Sequence, residues 1–134
     1  MLDFVGLNWW AILVATVVAF GIGGLWYGPL FGQAWLKALG KTEDEIEPSP
    51  TPFIVSFFTA LLTSIVLAAL INSLAIATLT GGLIIGAITG IGFIATAMAS
   101  DSAFCGWGVP LFAIQSGYRV FYSIVMGGIL AAWQ

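Results

Sequence analysis

The sequence predicts an all-α protein: a four-helix transmembrane bundle with a short amphipathic interfacial helix between the first and second spans. Of its 134 residues, 60% are hydrophobic and only 7% are charged, whereas soluble domains carry about a quarter charged residues. No charge lies between Asp3 and Lys37, or between Glu47 and Asp101. The apolar runs also lack the alternation of membrane β-strands. We therefore expect a surface that faces lipid, in which helices pair their own backbone groups.

Four apolar segments are long enough to cross a bilayer, which takes roughly 20 residues. They lie at about residues 7–28, 52–75, 81–100 and 110–133. The chain 1–134 then forms a single integral membrane domain. The first segment is not preceded by basic residues, as a secretory signal would be, so we expect it to be a retained span.

The first span and the segment after it carry signs of the membrane interface. Aromatic residues prefer that depth, and they frame the span as Trp9, Trp10, Trp26 and Tyr27. Pro29 then interrupts the helix. Apolar residues recur at three- and four-residue spacing over residues 31–39, which predicts a short interfacial helix whose Lys37 and Lys41 reach toward water.

The orientation of the chain follows from those two lysines. They are the basic residues of the predicted loops, and cytoplasmic loops are enriched in Lys and Arg. The sequence therefore predicts that residues 29–51 are cytoplasmic and that both termini lie outside.

Small side chains recur every four residues in the predicted spans. Lipid is as apolar as leucine, so helices associate in membranes through close backbone approach, which small residues permit. The candidate helix-packing residues are Ala15, Ala19 and Gly23 in the first span, Gly82, Gly86 and Gly90 in the third, and Ser123 and Gly127 in the fourth. These ridges either hold one chain together or join the chain to copies of itself or to a larger membrane complex.

Arg119 is the one charged residue inside a predicted span. A charge in that position costs about 2.5–3.5 kcal/mol on insertion scales and marks a candidate functional site. The other intramembrane polar candidates are Gln115, Asn72 and Asp101. A structural role is favoured, in which Arg119 reaches the headgroups or pairs with Asp101 while Gln115 and Asn72 join helices by hydrogen bonds. The alternative is an anion site, a lipid-headgroup site or part of a translocation path.

The composition argues against catalysis. The chain contains no histidine, which excludes haem ligation by His, a His-based metal site and a Ser-His-Asp relay. Its one cysteine, Cys105, leaves no internal disulfide. No basic patch for nucleic acid is present. We expect a non-enzymatic protein with no cofactor, no metal site and no nucleic-acid partner.

Several stretches resemble a family of small bacterial four-span integral membrane proteins that is known only as a domain of unknown function. The matching residues are Asn8-Trp9, the stretch from Gly24 to Trp35 (GLWYGPLFGQAW), Gly117-Tyr118, and Val125 to Leu130 (VMGGIL). The resemblance covers nearly the whole chain. It implies a bacterial origin and a multi-pass location in the inner membrane, and it assigns no catalytic residues.

The leading functional hypothesis is a structural or accessory subunit that packs through its small-residue faces against itself or a larger membrane complex. The alternative is a small oligomeric transporter or channel that uses the intramembrane polar residues around Arg119. A third hypothesis, a lipid- or pigment-associated accessory protein, rests on the 14% aromatic content.

Overall fold

In the computed structural model, which describes residues 2–133, the chain folds into helices and no strand occurs in that range. The predicted all-α class is therefore confirmed. The helices are α1 (Trp9–Leu25, extended by a π-helical turn, Trp26–Leu30), α2 (Gly32–Leu39), α3 (Thr51–Ser73), α4 (Leu79–Thr89, extended by a π-helical turn, Gly90–Ala95), α5 (Thr96–Cys105) and α6 (Val109–Ala132), with a 3₁₀ turn at Glu43–Glu45.

Successive long helices run in opposite directions. The backbone N–H of Asp3 donates to Ser73 Oγ at 2.8 Å, and Asn8 Nδ2 donates to the Trp133 carbonyl oxygen at 3.0 Å. These bonds bring the start of α1 and the ends of α3 and α6 together, at what we call the terminal end of the bundle. Residues 31–50 and 106–108 lie at the opposite end, which we call the loop end.

Three helices are long and apolar enough to cross a membrane: Trp9–Leu30, Thr51–Ser73 and Leu79–Cys105. At 1.5 Å per residue they measure about 33, 35 and 40 Å, more than the roughly 30 Å of a hydrocarbon core. The sequence placed the end of the third span near residue 100, but the helix continues through Asp101 to Cys105. The reason is that its first helix-ending residue is Gly106, which takes the left-handed conformation (φ 68°) of a C-terminal cap.

The fourth expected span corresponds to α6, which is 24 residues long but is not among those three apolar helices. It is also the helix whose surface the other helices bury most completely. Ten of its residues are buried, because α1, α3, α4 and the second π-helical turn all pack against it. The helix that carries Arg119 and Gln115 is thus the one that the others surround.

The backbones of α4 and α6 touch directly through glycines. A Cβ atom built on Gly82 would overlap the Gly127 carbonyl oxygen, and one built on Gly86 would overlap the Ser123 carbonyl oxygen. At Gly90 the approach is looser, because the added Cβ would lie 3.1 Å from the Ser123 Cβ. Such close approach lets many weak dispersion contacts form between two helices without side chains between them.

Alanines perform the same role where α1 meets the rest of the bundle. Ala15 is fully buried and Ala19 is 1% exposed. The neighbouring Ser64 on α3 donates its hydroxyl hydrogen to the Ile12 carbonyl oxygen at 3.2 Å, entirely within the core. This bond joins α1 to α3 at the level where the small alanine side chains allow the two helices to lie close together.

Two π-helical turns interrupt the long helices. The first contains Pro29, which has no backbone N–H, and Gly28, whose dihedral angles (φ −102°, ψ −107°) are not helical. The bend that results allows α2 to begin at Gly32 in a new direction. The second turn, Gly90–Ala95, connects α4 to α5. Such turns are rare and occur often at functional sites.

We predict that Gly86→Leu destabilises the protein, since the new side chain would have to displace the α6 backbone. Overpacking of this kind costs about 1–3 kcal/mol, and more where backbone is in the way. Thermal unfolding in detergent micelles, followed by circular dichroism, measures the loss. Gly92→Leu is the matched control, because Gly92 is exposed and nothing lies within 4 Å of its Cβ position. Equal melting temperatures for the two variants would show that the α4–α6 contact is not essential.

Candidate functional site

The candidate site is centred on Arg119, which is half-buried on α6. It lies ten residues after Val109, about 15 Å along the helix axis. Its Nη1 donates to the backbone carbonyl oxygen of Gln115 at 2.9 Å. The side chain therefore points back along its own helix toward the loop end, the direction in which helical side chains lean. Of the four predicted polar candidates, the structure joins these two.

Aromatic rings form a cluster beside the guanidinium group. Its central carbon lies 5.7 Å from the centre of the Tyr118 ring, within the range of a cation–π contact. Tyr118 in turn contacts the ring of Tyr122 at 4.9 Å and that of Tyr27 at 5.5 Å. The guanidinium group interacts electrostatically with all three hydroxyl groups. Arg119 thus lies among polar aromatic edges and not in purely apolar surroundings.

Tyr118 is held in place by α1. Its hydroxyl group donates to the Ala19 carbonyl oxygen at 2.9 Å, in a buried position. Gly23, one turn further along α1, leaves the space for this hydroxyl: a Cβ atom built there would lie 2.8 Å from the Tyr118 Oη. The small residues predicted for helix packing therefore also shape the site.

The short helix α2 covers the site from the loop end. Trp35 contacts the ring of Tyr27 edge-on at 5.2 Å. Its indole Nε1 lies 3.5 Å from the Gln115 side-chain oxygen, to which it donates a long hydrogen bond. Gln115 therefore binds α2 through its side chain and Arg119 through its backbone, which links the helix that covers the site to the charge within it.

The positive charge of Arg119 has no carboxylate partner among residues 2–133. The pairing with Asp101 that the sequence suggested does not form: Asp101 is exposed on α5 and makes no ion pair. A guanidinium group has five N–H donors; Nη1 donates to the Gln115 carbonyl oxygen at 2.9 Å, and the Tyr27 hydroxyl group is an electrostatic neighbour. Most of its hydrogen-bonding capacity is left for an external acceptor.

Asn72 is not part of this site. It lies at the terminal end of α3, where it lines a separate cavity of about 130 Å³ together with Asn8 and Leu130. The predicted polar set therefore divides in three: Arg119 with Gln115 near the loop end, Asn72 near the terminal end, and Asp101 on the outer surface. These four residues do not form a continuous polar path through the bundle.

The sequence did not single out Tyr27, Trp35, Tyr118 and Tyr122 as site residues. The sequence places Tyr27 and the segment that contains Trp35 at the membrane interface, and it indicates no role for the tyrosines of α6. One signal was present: Tyr118 and Tyr122 are one turn apart and flank Arg119 in sequence. Tyr27 and Trp35 reach the site only because of the bend after α1. No local sequence pattern predicts the direction of that bend.

The described part of the chain brings together no group of three or more Cys, Asp and Glu side chains that would hold a metal ion. The groups available at the site are the Arg119 cation, the Gln115 amide and four aromatic rings. This set can bind an anion by charge and by hydrogen bonds, and it contains no nucleophile paired with a base.

The fold is all-helical, and three of its helices have the length and apolarity of membrane-spanning helices. These are the features of an α-helical membrane protein. The sequence model of the family described as "Protein of unknown function (DUF1761)" matches residues 10–131, so the chain belongs to that family. The predicted membership of an uncharacterised family is thereby confirmed. No curated protein and no solved structure matches the chain.

We predict that Trp35→Ala loosens α2. The substitution removes an aromatic pair, worth about 0.5–1.5 kcal/mol, and a hydrogen bond worth about 1 kcal/mol. Amide hydrogen exchange over residues 32–39 should accelerate roughly tenfold or more, as a loss of about 1.4 kcal/mol implies. Trp10→Ala is the control, since that ring is 72% exposed. If exchange in residues 32–39 is the same in both variants, α2 is not held by Trp35.

Proposed function

We propose that the chain is a four-span integral protein of the bacterial inner membrane, with α6 as the fourth span. Its 24 residues measure about 36 Å, enough to cross the hydrocarbon core. α6 is less apolar than the other three spans. This agrees with its position inside the bundle, because polar side chains in membranes face the bundle interior. The antiparallel order of the helices then places the terminal end on one side and the loop end on the other.

In this arrangement α2 lies in the interface at the loop end. Its exposed side chains include Gln33 and Lys37, while Trp35 and Leu36 are half-buried against the bundle. That distribution favours a helix lying at the surface of the membrane. The lysines of residues 29–51 favour a cytoplasmic loop end, with both termini outside.

We infer that the protein is non-enzymatic and binds an anion at Arg119, as a small oligomeric transporter or channel would, in which the path is completed between copies of the chain. The observation that carries this proposal is a guanidinium group within a span that has no carboxylate partner among the described residues. Keeping such a charge in hydrocarbon is costly. A bound anion repays part of that cost, and the Gln115 amide with the tyrosine hydroxyls supplies additional hydrogen bonds.

A second candidate is the structural or accessory subunit. The ridges of α4 and α6 are occupied within the chain, so an association surface would use other small residues. Gly21 and Gly24 favour this candidate, because they lie on the outer side of α1 with nothing within 4 Å of their Cβ positions. Outward glycines permit a further helix to approach closely, from a second copy or from a larger complex.

We predict that Arg119→Leu abolishes anion flux. In proteoliposomes under an imposed potential, efflux of chloride, acetate and benzoate should be tested, and the flux that the wild type shows should fall at least tenfold, about 1.4 kcal/mol of lost stabilisation. Lys37→Leu is the matched control, because it removes one positive charge from the exposed surface of α2.

Equal flux in the wild type and in Arg119→Leu would contradict the transport proposal. In the accessory case Arg119→Leu is mild, whereas Gly21→Leu reduces the mass of the complex that is purified in mild detergent. The two candidates therefore give opposite results with the same pair of variants.

We predict that Cys105 reports the orientation directly. It is the one cysteine of the chain, it is exposed, and it lies at the loop end. With a cytoplasmic loop end, a membrane-impermeant maleimide should label it only after the cells are permeabilised. Leu74→Cys in a Cys105→Ser background is the control, since Leu74 is 57% exposed at the terminal end and should be labelled in intact cells. The reverse labelling pattern would mean the opposite orientation.

A further inference from the structure

An apolar groove runs between α3 and the segment formed by α4 and the second π-helical turn. Residues 62–70 of α3 form one wall, and Thr89, Phe93 and Ile94 form the other. Its volume is about 310 Å³, at the lower end of the range for small-molecule sites. It exists because α3 and α4 are joined by the short connection 74–78 and separate beyond it.

The groove lies beside the part of α6 that carries Arg119. Thr63 lines the groove and is a side-chain neighbour of Tyr122, which is in turn an electrostatic neighbour of Arg119. On the other wall, a Cβ atom built on Gly90, next to Thr89, would lie 3.1 Å from the Cα atom of Val120, the residue after Arg119. An occupant of the groove with a polar head at this end would therefore lie near Tyr122 and the guanidinium group.

Both π-helical turns border this composite site. Phe93 and Ile94 belong to the second turn and line the groove. Tyr27 belongs to the first turn and interacts with Arg119. Helices adopt this costly geometry seldom, and its occurrence is concentrated at functional sites. The second turn thus forms part of one wall of the groove, whereas the first is a kink at Gly28 and Pro29 that places Tyr27 near Arg119.

We propose that the ligand is an organic anion with an apolar chain, whose carboxylate binds Arg119 and whose chain lies in the groove between α3 and the second π-helical turn. This inference rests on the proposed anion-binding function and specifies its ligand. Charge complementarity requires the anionic head, because Arg119 has no carboxylate partner among residues 2–133.

The apolar chain is required by the position of the site. A carboxylate alone pays a large desolvation cost to enter hydrocarbon, and a chain of methylene groups offsets that cost at about 0.8 kcal/mol per group. Within lipid the groove gains nothing from hydrophobicity, so it selects a chain by packing. A small inorganic anion would leave the groove unused.

The test is photolabelling with dodecanoate that carries a diazirine at the end of its chain. The full-length protein is placed in nanodiscs of zwitterionic lipid, and the labelled residues are located by mass spectrometry. We expect saturable labelling within residues 62–70 and 89–94, displaced by unlabelled dodecanoate but not by dodecanol. Arg119→Gln should lower this labelling at least tenfold, the equivalent of about 1.4 kcal/mol.

A groove-filling variant separates binding in the groove from simple partition into lipid, which also favours long chains. Val66→Trp places an indole in the groove, where Val66 is 39% exposed, and should reduce the saturable labelling by a similar factor. Val17→Trp is the matched control, because Val17 is 54% exposed on α1 and does not line the groove. Melting temperatures of both variants check that the fold is retained.

The two levels of the proposal fail differently. If labelling depends on Arg119 but is spread over the outer surfaces of α1 and α5 and is unchanged by Val66→Trp, the groove inference is overturned and anion binding stands. If Arg119→Gln leaves the labelling unchanged, anion binding at Arg119 is itself overturned, and the groove inference with it.

Discussion

The cover of α6 by the other helices is the constraint on which the rest of the fold depends. This helix carries Arg119 and Gln115, and a cation is the most expensive of the chain's buried or half-buried side chains to place in hydrocarbon. The long helices that pack around it are apolar enough to form an outer surface toward lipid. The chain therefore places the least apolar of its long helices at the centre, the inverse of the arrangement in a soluble protein.

Different kinds of residue pack against different sides of α6: glycines on one side and aromatic rings on the other. The site lies where the two kinds of packing meet. Toward α4 the backbones touch, so that Gly82 and Gly127 leave no room for a side chain. The contact is looser at Gly90, where an added Cβ atom would lie 3.1 Å from the Val120 Cα atom and would not overlap a carbonyl oxygen. The groove against α3 lies in the same stretch of the chain.

Toward α1 and α2, aromatic rings take the place of glycines. Tyr118 uses the space left by Gly23, and Trp35 covers Gln115 from the loop end. Rings are wide and carry polar edges, so they surround the guanidinium group without neutralising it. Glycine contacts at one side and aromatic contacts at the other explain how one helix is both tightly packed and accessible at Arg119.

The sequence predicted the all-helical class well, because helix formation depends on local composition and on the 3.6-residue period. It predicted the partners of Arg119 poorly. Asp101 was the nearest carboxylate along the chain, yet the uninterrupted helix up to Cys105 keeps it on the outer surface. Which side chains meet across a bundle depends on the rotation of each helix and on bends such as that at Gly28, and neither is a local property of the sequence.

The absence of a carboxylate beside Arg119 in the described chain carries more information than the arginine itself. A structural arginine in a membrane protein pairs with an acid or with backbone carbonyl groups, and Arg119 makes one bond of the second kind, to the Gln115 carbonyl oxygen. Because α5 and α6 are packed against one another, a suitably placed acid on α5 would also have been in reach. The chain instead surrounds the cation with hydroxyl groups and one amide, which orient a guanidinium group without cancelling its charge. The proposed anion would bind the donors of Arg119 that these groups do not engage.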